Sequence, residues 1–144
     1  MYTKNKVVFA SDHAGFALKN RLKAALESRG LETRDVGTHT PDSVDYPDFA
    51  HGLAESLRAD EYGILICGTG NGVCMSANRH AGIRAGVAWN AEVAALLRRH
   101  NDANVLCLPA RFMGEETALA AVVEFLSAEF EGGRHARRVQ KIEP

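Results

Sequence analysis

Short apolar runs alternate with helix-like segments along almost the whole chain, and this alternation limits the possible folds more than any other feature. Five runs have the length and the β-branched or aromatic content of strands, at residues 6–11, 31–37, 62–67, 83–89 and 104–110. Segments with helical spacing of apolar residues follow them, at 12–30, 49–59, 73–80, 90–102 and 113–130. Strands that alternate with helices in this way pair in parallel, with the helices as crossovers. We therefore predict an α/β fold with a five-stranded, mostly parallel sheet between two helical layers.

The size and charge of the chain restrict it further. Its 144 residues, 46% of them apolar, suffice for one buried core and not for two, so residues 1–144 are expected to form a single domain. A formal net charge of −1 offers no basic face for nucleic acid. No apolar run approaches the roughly 20 residues of a membrane helix, and Asp12 interrupts the N-terminus before a signal-peptide core can form. We expect a cytoplasmic protein that binds neither nucleic acid nor membrane.

The cysteines and histidines form no pattern typical of disulfides or metal sites. Cys67, Cys74 and Cys107 are odd in number and unrelated in spacing. The six histidines are scattered, and none has another His or Cys at ligand spacing along the chain. The sequence therefore predicts neither a disulfide framework nor a metal site.

The third strand, YGILIC, ends in Cys67 and runs directly into the glycine loop Gly68-Thr69-Gly70-Asn71-Gly72. The loop lacks the third glycine of a dinucleotide fingerprint, since Val73 stands there, and it lacks the lysine of a Walker loop. It offers backbone N–H groups in front of a helix N-terminus, which suits a phosphate or an oxyanion. Catalytic thiols also occur at such positions. The alternative is that Cys67 is simply a small buried residue and that the glycines make a tight turn.

Further polar residues are expected at the carboxyl ends of the strands, where α/β proteins bind their ligands. Asp12 and His13 follow the first strand, although Asp12 alternatively caps the first helix. His100 ends the fourth helical segment. We expect it at the same sheet edge as Cys67, where it would act as an acid or base near neutral pH.

Three arginines form a second group of candidates. Arg134 and Arg138 are four residues apart and share one face if the C-terminal segment is helical. With Arg111, which follows the fifth strand, they are suited to gripping a phosphate dianion. The alternative is that the C-terminal pair is a solvated basic end. Tyr46, in the segment DYPD, either packs or offers its hydroxyl group.

Motifs along essentially the whole chain resemble those of the B-type ribose-5-phosphate isomerases, a family that also contains galactose-6-phosphate and allose-6-phosphate isomerases. They recur in the family's order and spacing: SDHAG, DVGT, DYPD, ILICGTGNG, SANRHAGIRA, RHNDANVL and EGGRHARRV. The resemblance implies a Rossmann-like or flavodoxin-like fold and no cofactor. It also implies a homodimer or a dimer of dimers with active sites at the subunit interface, and a basic tail, residues 131–144, that packs on a neighbouring subunit.

The resemblance further implies a role for each candidate residue. Cys67 would move a proton between C2 and C1 of a sugar phosphate, with Thr69 beside it, and His100 would open the furanose ring. The implied substrate-binding residues are Asp12, His13, Tyr46, Gly68, Gly70, Asn71, Gly72, Val73, Asn101, Arg111, Arg134 and Arg138. One branch of the family has a glutamate base in the loop where this chain has Val73, so the chain fits the cysteine branch.

These roles imply an aldose–ketose isomerase that interconverts D-ribose 5-phosphate and D-ribulose 5-phosphate through an enediolate. A hexose-6-phosphate isomerase is the alternative within the family. Galactose-type members pair different subunits, whereas this chain has both Cys67 and the arginine tail, which favours a homo-oligomer. A non-catalytic sugar-phosphate sensor is a third hypothesis. A sensor would have no use for both Cys67 and His100.

Overall fold

The computed structural model describes residues 1–144 and contains one five-stranded sheet in which all strands are parallel. The strands are β1 (Lys6–Ser11), β2 (Glu32–Asp35), β3 (Glu61–Cys67), β4 (Ala85–Val87) and β5 (Val105–Pro109). The helices are α1 (Phe16–Ser28), α2 (Tyr46–Ser56), α3 (Asn71–Ala77), α4 (Ala91–Asn101), α5 (Glu115–Ser127) and α6 (Arg134–Gln140). The predicted α/β fold and its Rossmann-like architecture are confirmed. None of the helices has both the length and the hydropathy that crossing a membrane requires.

The strand order is β2-β1-β3-β5-β4, so the last two strands exchange places relative to the 2-1-3-4-5 order of flavodoxin. Side chains alternate across the sheet and supply two separate cores. Val7, Phe9 and Ile64 pack on the face that carries α1, α4 and α5. Val8 and Leu65 pack on the other face, with α2 and α3. Because both faces are covered, β3 is buried along its whole length.

The helices that leave β1 and β3 lie on opposite faces of the sheet, which opens a crevice between the carboxyl ends of these two strands. Such a topological switch point is where open α/β sheets bind ligands. Cys67 ends β3 at this crevice, and Asp12 follows β1 there. The fold therefore brings these two predicted residues to the same place.

Two differences from the sequence-based predictions concern candidate site residues. The second helix begins at Tyr46 and not at residue 49, because Pro47 is accepted in the first turn of a helix, where its missing N–H is not needed. The C-terminal residues Arg134–Gln140 form a sixth helix after Gly132 and Gly133, which both have positive φ, so Arg134 and Arg138 do share a helix. Tyr46 and the two arginines are thus held by helices.

Gly15 closes the floor of the crevice, and we expect Gly15→Ala to destabilise the protein. A Cβ at this position would lie 2.6 Å from the carbonyl oxygen of Ile66 and 2.7 Å from its Cγ2 atom, so α1 would have to move away from β3. We expect a loss of about 1–3 kcal/mol in the free energy of unfolding, measured by urea denaturation. Gly52→Ala in α2 is the matched control, since nothing lies within 4 Å of its added Cβ. The control should stabilise the protein by about 0.5–1 kcal/mol, and equal effects of the two changes would contradict the packing argument.

Candidate active site

Cys67 is the last residue of β3, and its side chain packs on the face covered by α2 and α3. It is 5% exposed and is a free thiol. The chain then turns sharply at Gly70, whose φ of +76° favours glycine. A Cβ there would lie 3.2 Å from the carbonyl carbon of Leu108, so glycine also lets the loop approach β5 closely. The thiol is therefore fixed at the start of a tightly folded loop.

The glycine loop leaves a set of backbone donors without acceptors inside the chain. The Asn71 N–H donates to the Thr69 hydroxyl group at 3.2 Å. The N–H groups of Thr69, Gly70, Gly72 and Val73 have no acceptor within the protein. Free N–H groups at the start of a helix attract negative charge. The loop can therefore bind an anionic oxygen next to the thiol of the preceding residue.

Asp12 and His13 follow β1 at the same edge. The Asp12 carboxylate accepts a hydrogen bond from the Gly15 N–H at 3.1 Å, so it does cap the turn that leads into α1. The Asp12 N–H donates to the Ile66 carbonyl at 3.2 Å and ties the end of β1 to β3. His13 Nδ1 accepts from the Val44 N–H at 3.2 Å. Because Nδ1 accepts this bond, the N–H group of a neutral His13 ring is at Nε2.

Tyr46 and Arg111 reach the glycine loop from two other elements. The Tyr46 ring lies against Gly72, where an added Cβ would be 2.4 Å from its Cε1 atom. Arg111 follows β5, and its N–H donates to the Gly68 carbonyl at 3.1 Å. Its guanidinium lies within 3.3 Å of the place that a Gly68 Cβ would occupy. Both side chains therefore border the glycine loop.

His100 and Asn101 do not lie at this edge, and the prediction that placed His100 beside Cys67 is wrong within one chain. They form the last turn of α4, which runs back from the carboxyl to the amino edge of the sheet. The same turn carries Arg98, whose guanidinium lies 4.8 Å from the ring centre of Tyr62 near the start of β3. At about 3.3 Å per residue, Tyr62 and Cys67 are separated by roughly 17 Å.

The C-terminal segment, predicted to be a basic tail, joins His100 at the amino edge. The Glu131 N–H donates to the Arg99 carbonyl at 3.0 Å, which fixes the start of the segment on α4. The rings of His100 and His135 stack, with centroids 4.3 Å apart and planes 12° apart. A cavity of about 350 Å³ lies beside these rings. It is lined by His100, Asn101, His135, Arg138, Val139 and Ile142.

The candidate residues thus form two groups in one chain. The thiol group, at the carboxyl edge, consists of Asp12, His13, Tyr46, the loop 67–73 and Arg111. The imidazole group, at the amino edge, consists of His100, Asn101 and Arg138, with Arg134 on the same short helix. A ligand the size of a pentose phosphate cannot contact both groups of a single chain, because they lie at opposite ends of the strands.

Sequence reasoning missed His135 and Glu131, which contact the imidazole group. Both residues are part of the motif EGGRHARRV, and they are four positions apart, but neither signal assigned them a role. His135 is buried, and burial together with the neighbouring His100 and Arg134 lowers its pKa. A lowered pKa keeps this ring neutral at physiological pH.

The two other thiols contact each other. Burial and the hydrogen bond with Cys74 raise the pKa of Cys107, which lies fully inside the core. The same hydrogen bond lowers the pKa of Cys74, which is half-buried. The Asn78 side-chain amide also lies 3.6 Å from the Cys74 sulfur. Cys74 is therefore a second thiol near Cys67, but it lies in α3 and its hydrogen bond is with Cys107.

Residues 7–142 match the family model described as Ribose/Galactose Isomerase. The probable ribose-5-phosphate isomerase B of Mycoplasma pneumoniae is 48% identical over 99% of this chain and 95% of its own length. The ribose-5-phosphate isomerase B of Escherichia coli is 45% identical over 95% of this chain and 93% of its own. The crystal structure of ribose-5-phosphate isomerase B from Mycoplasma genitalium with bound ribulose-5-phosphate has a TM-score of 0.92 and 43% identity. That alignment covers 95% of this chain and 93% of the other.

Proposed function

The chain belongs to the ribose/galactose isomerase family, and we propose that it interconverts D-ribose 5-phosphate and D-ribulose 5-phosphate through an enediolate. The observation that carries the proposal is a buried thiol followed at once by four N–H groups without acceptors. Moving a proton between C1 and C2 requires a base for a weakly acidic C–H and donors for the oxygens that become negative. Cys67 supplies the base, and the loop 68–73 supplies the donors.

The remaining polar residues of the thiol group suit a polyhydroxylated phosphate. Asp12 accepts hydrogen bonds from sugar hydroxyl groups, and Tyr46 lies beside the sugar. Arg111 borders the loop, and His13 follows β1 at the same edge; the guanidinium of Arg111 contributes positive charge to the phosphate and the imidazole of His13 a donor. The phosphate is remote from the reacting carbons, so its binding energy holds them in position.

The active enzyme in this proposal is a homodimer, or a dimer of dimers, in which each site combines the thiol group of one subunit with the imidazole group of the other. The separation of the two groups within one chain supports this arrangement, since neither group alone has every function that the reaction needs. In each site, the partner subunit's His100 opens the furanose ring, and the partner subunit's Arg134 and Arg138 hold the phosphate.

Exposed apolar side chains around the carboxyl edge support the same assembly. Trp89 follows β4 and is 60% exposed, and Phe112 follows β5 and is 75% exposed. Met75, one turn into α3, is 70% exposed. Large apolar side chains that border a functional site are typical of a protein interface. A second copy of the chain would cover them and complete the site in one step. We assign the protein to the cytoplasm, because its three free thiols are typical of a reducing compartment.

Assays of the purified protein with three sugar phosphates test the proposed reaction. We expect the highest kcat/KM for ribose 5-phosphate, without any added cofactor, when the formation of the ketose is followed. Allose 6-phosphate and galactose 6-phosphate are the comparison substrates. A higher kcat/KM for either hexose would replace the proposed substrate by a hexose phosphate. Binding without turnover of any of them would favour a sugar-phosphate sensor.

Substitution of His100 separates ring opening from proton transfer. We expect His100→Asn to reduce the turnover of ribose 5-phosphate by about 10²–10⁴-fold, since that substrate is a closed furanose and a positioned acid–base group is lost. Ribulose 5-phosphate has no ring to open, so the exchange of its C1 hydrogen with solvent should change far less. Both rates are measured by NMR in D₂O. Equal losses in the two reactions would contradict a ring-opening role.

A further inference from the structure

Lys19 is a fully buried lysine to which the proposed reaction gives no role. It lies in the first turn of α1, and its side chain is 0% exposed. Lysine is almost never buried to this extent unless its ammonium group is paired, because removing the charge from water is costly. A side chain so enclosed cannot touch a substrate, so Lys19 can act on the active site only through the groups that it binds.

The ammonium group of Lys19 joins α1 to the end of β2. Its Nζ atom donates to the Asp35 carboxylate at 2.8 Å and to the Thr38 carbonyl oxygen. The same carboxylate accepts from the Gly37 N–H at 2.9 Å and from the Lys23 ammonium at 3.0 Å. Lys19 therefore pairs with Asp35 and also binds the backbone that follows it, whereas Lys23 binds the carboxylate alone.

The backbone that Lys19 holds continues the pairing of β1. The Ser11 N–H donates to the Gly37 carbonyl, and the Thr38 N–H donates to the Ser11 carbonyl, both at 2.8 Å. The thiol group begins with the next residue of the chain, Asp12. The bond from Lys19 to the Thr38 carbonyl therefore fixes the chain at the point where the residues of the active site begin.

The loop of residues 39–45 connects this fixed point to the thiol group. All of the loop except Val44 is exposed. The Val44 N–H donates to His13 Nδ1 at 3.2 Å, and Tyr46 then begins α2. An exposed loop loses conformational entropy when it is ordered, so the bond to His13 is more stable when the start of the loop is already fixed. Lys19 supplies that fixed start.

We propose that Lys19 is a positioning residue, which sets the orientation and the tautomer of His13 through the loop 39–45. The tautomer of an imidazole ring is set by the hydrogen bond that one of its nitrogens makes, here the bond from the Val44 N–H. Without the Lys19 ammonium, the start of the loop is less fixed and the two tautomers mix. The further effect on the substrate rests on the proposed function, in which the His13 N–H group binds the phosphate.

NMR of the free protein with isotope-labelled histidines tests the positioning without reference to activity. At a pH of about 8.5, where ordinary histidines are neutral, we expect His13 to show one tautomer, with its proton on Nε2. Lys19→Met should show a mixture of the two tautomers. Lys23→Met is the matched control, since Lys23 binds the same carboxylate but not the Thr38 carbonyl, and it should retain the single tautomer. The spectrum of His13→Ala identifies the signal.

Kinetics with ribose 5-phosphate test the effect on the substrate. We expect Lys19→Met to raise KM by about 10-fold with kcat nearly unchanged, because a hydrogen bond to a charged group is weakened. In the His13→Ala background, the same change should have no further effect on KM, since Lys19 acts through His13. Destabilisation alone would reduce the folded fraction, and so kcat, in both backgrounds without changing KM.

The outcomes separate the positioning role from the proposed function. A single His13 tautomer in Lys19→Met, or the same mixture in Lys23→Met, would overturn the positioning. Mixed tautomers with an unchanged KM would support it and contradict the contact of His13 with the phosphate, which belongs to the proposed function. If Lys19→Met does not fold, the double variant Lys19→Met/Asp35→Asn takes its place. It leaves no buried carboxylate without a partner and keeps an acceptor for the Gly37 N–H.

Discussion

Cys67→Ala is expected to reduce isomerisation by about 10²–10⁴-fold while the protein still binds ribose 5-phosphate. The reason is that the thiol acts on a C–H bond, whereas the affinity for substrate comes from the phosphate and hydroxyl contacts of other residues. Turnover is measured in both directions, and binding is measured by calorimetry with each sugar phosphate. The truncation removes one sulfur atom at the end of β3, so the unfolding midpoint serves to verify that the sheet is intact.

Cys74→Ala is the matched control for this experiment. Cys74 lies in α3, seven residues after Cys67, and its hydrogen bond with Cys107 lowers its pKa. If any thiol near the loop could act as the base, Cys74 would be the competitor. Its replacement should leave kcat nearly unchanged. Near-normal turnover in Cys67→Ala would remove that thiol from the mechanism, and loss of activity in Cys74→Ala would transfer the role.

The thiol group could be predicted from sequence because its determinants are local. A buried strand, a cysteine at its end and a run of glycines are contiguous between Tyr62 and Gly72. Parallel pairing then brings the end of β1 to the end of β3 without any further information. Asp12 and Cys67 were therefore expected at one edge, and the structure has them there. The contacts of Tyr46 and Arg111 with the loop depend on tertiary packing, and only the structure gives them.

The position of His100 was predicted wrongly for a reason that the topology makes plain. A helix between two parallel strands must return to the amino edge, so the last residues of α4 lie far from the carboxyl ends. A residue just before β5 is at the opposite edge from one just after β3. The stacking of His100 on His135 joins residues 35 positions apart, and no periodicity predicts such a contact.

The last prediction follows from this separation of the thiol and imidazole groups. Mixing an inactive Cys67→Ala chain with an inactive His100→Asn chain should restore activity if each site uses both subunits. In a mixed dimer, one site then has an intact Cys67 from one chain and an intact His100 from the other. After complete subunit exchange at equal concentrations, half of the dimers are mixed and each has one complete site. We therefore expect roughly a quarter of the wild-type specific activity with ribose 5-phosphate.

A second mixture gives this experiment its control. Asp12 and Cys67 lie at the same edge of the same chain, so Cys67→Ala and Asp12→Ala chains cannot complete a site in any combination. That mixture should stay inactive after the same exchange, which is monitored by energy transfer between labelled subunits.

If the first mixture also stays inactive although exchange is complete, the imidazole group does not complete its neighbour's site. His100 would then act elsewhere than at Cys67, because roughly 17 Å of β3 separates the two edges within a chain. If both mixtures regain activity, Asp12 and Cys67 of one chain do not belong to the same site. The residues that each subunit contributes to a site would then be reassigned from the pairs of variants that restore activity.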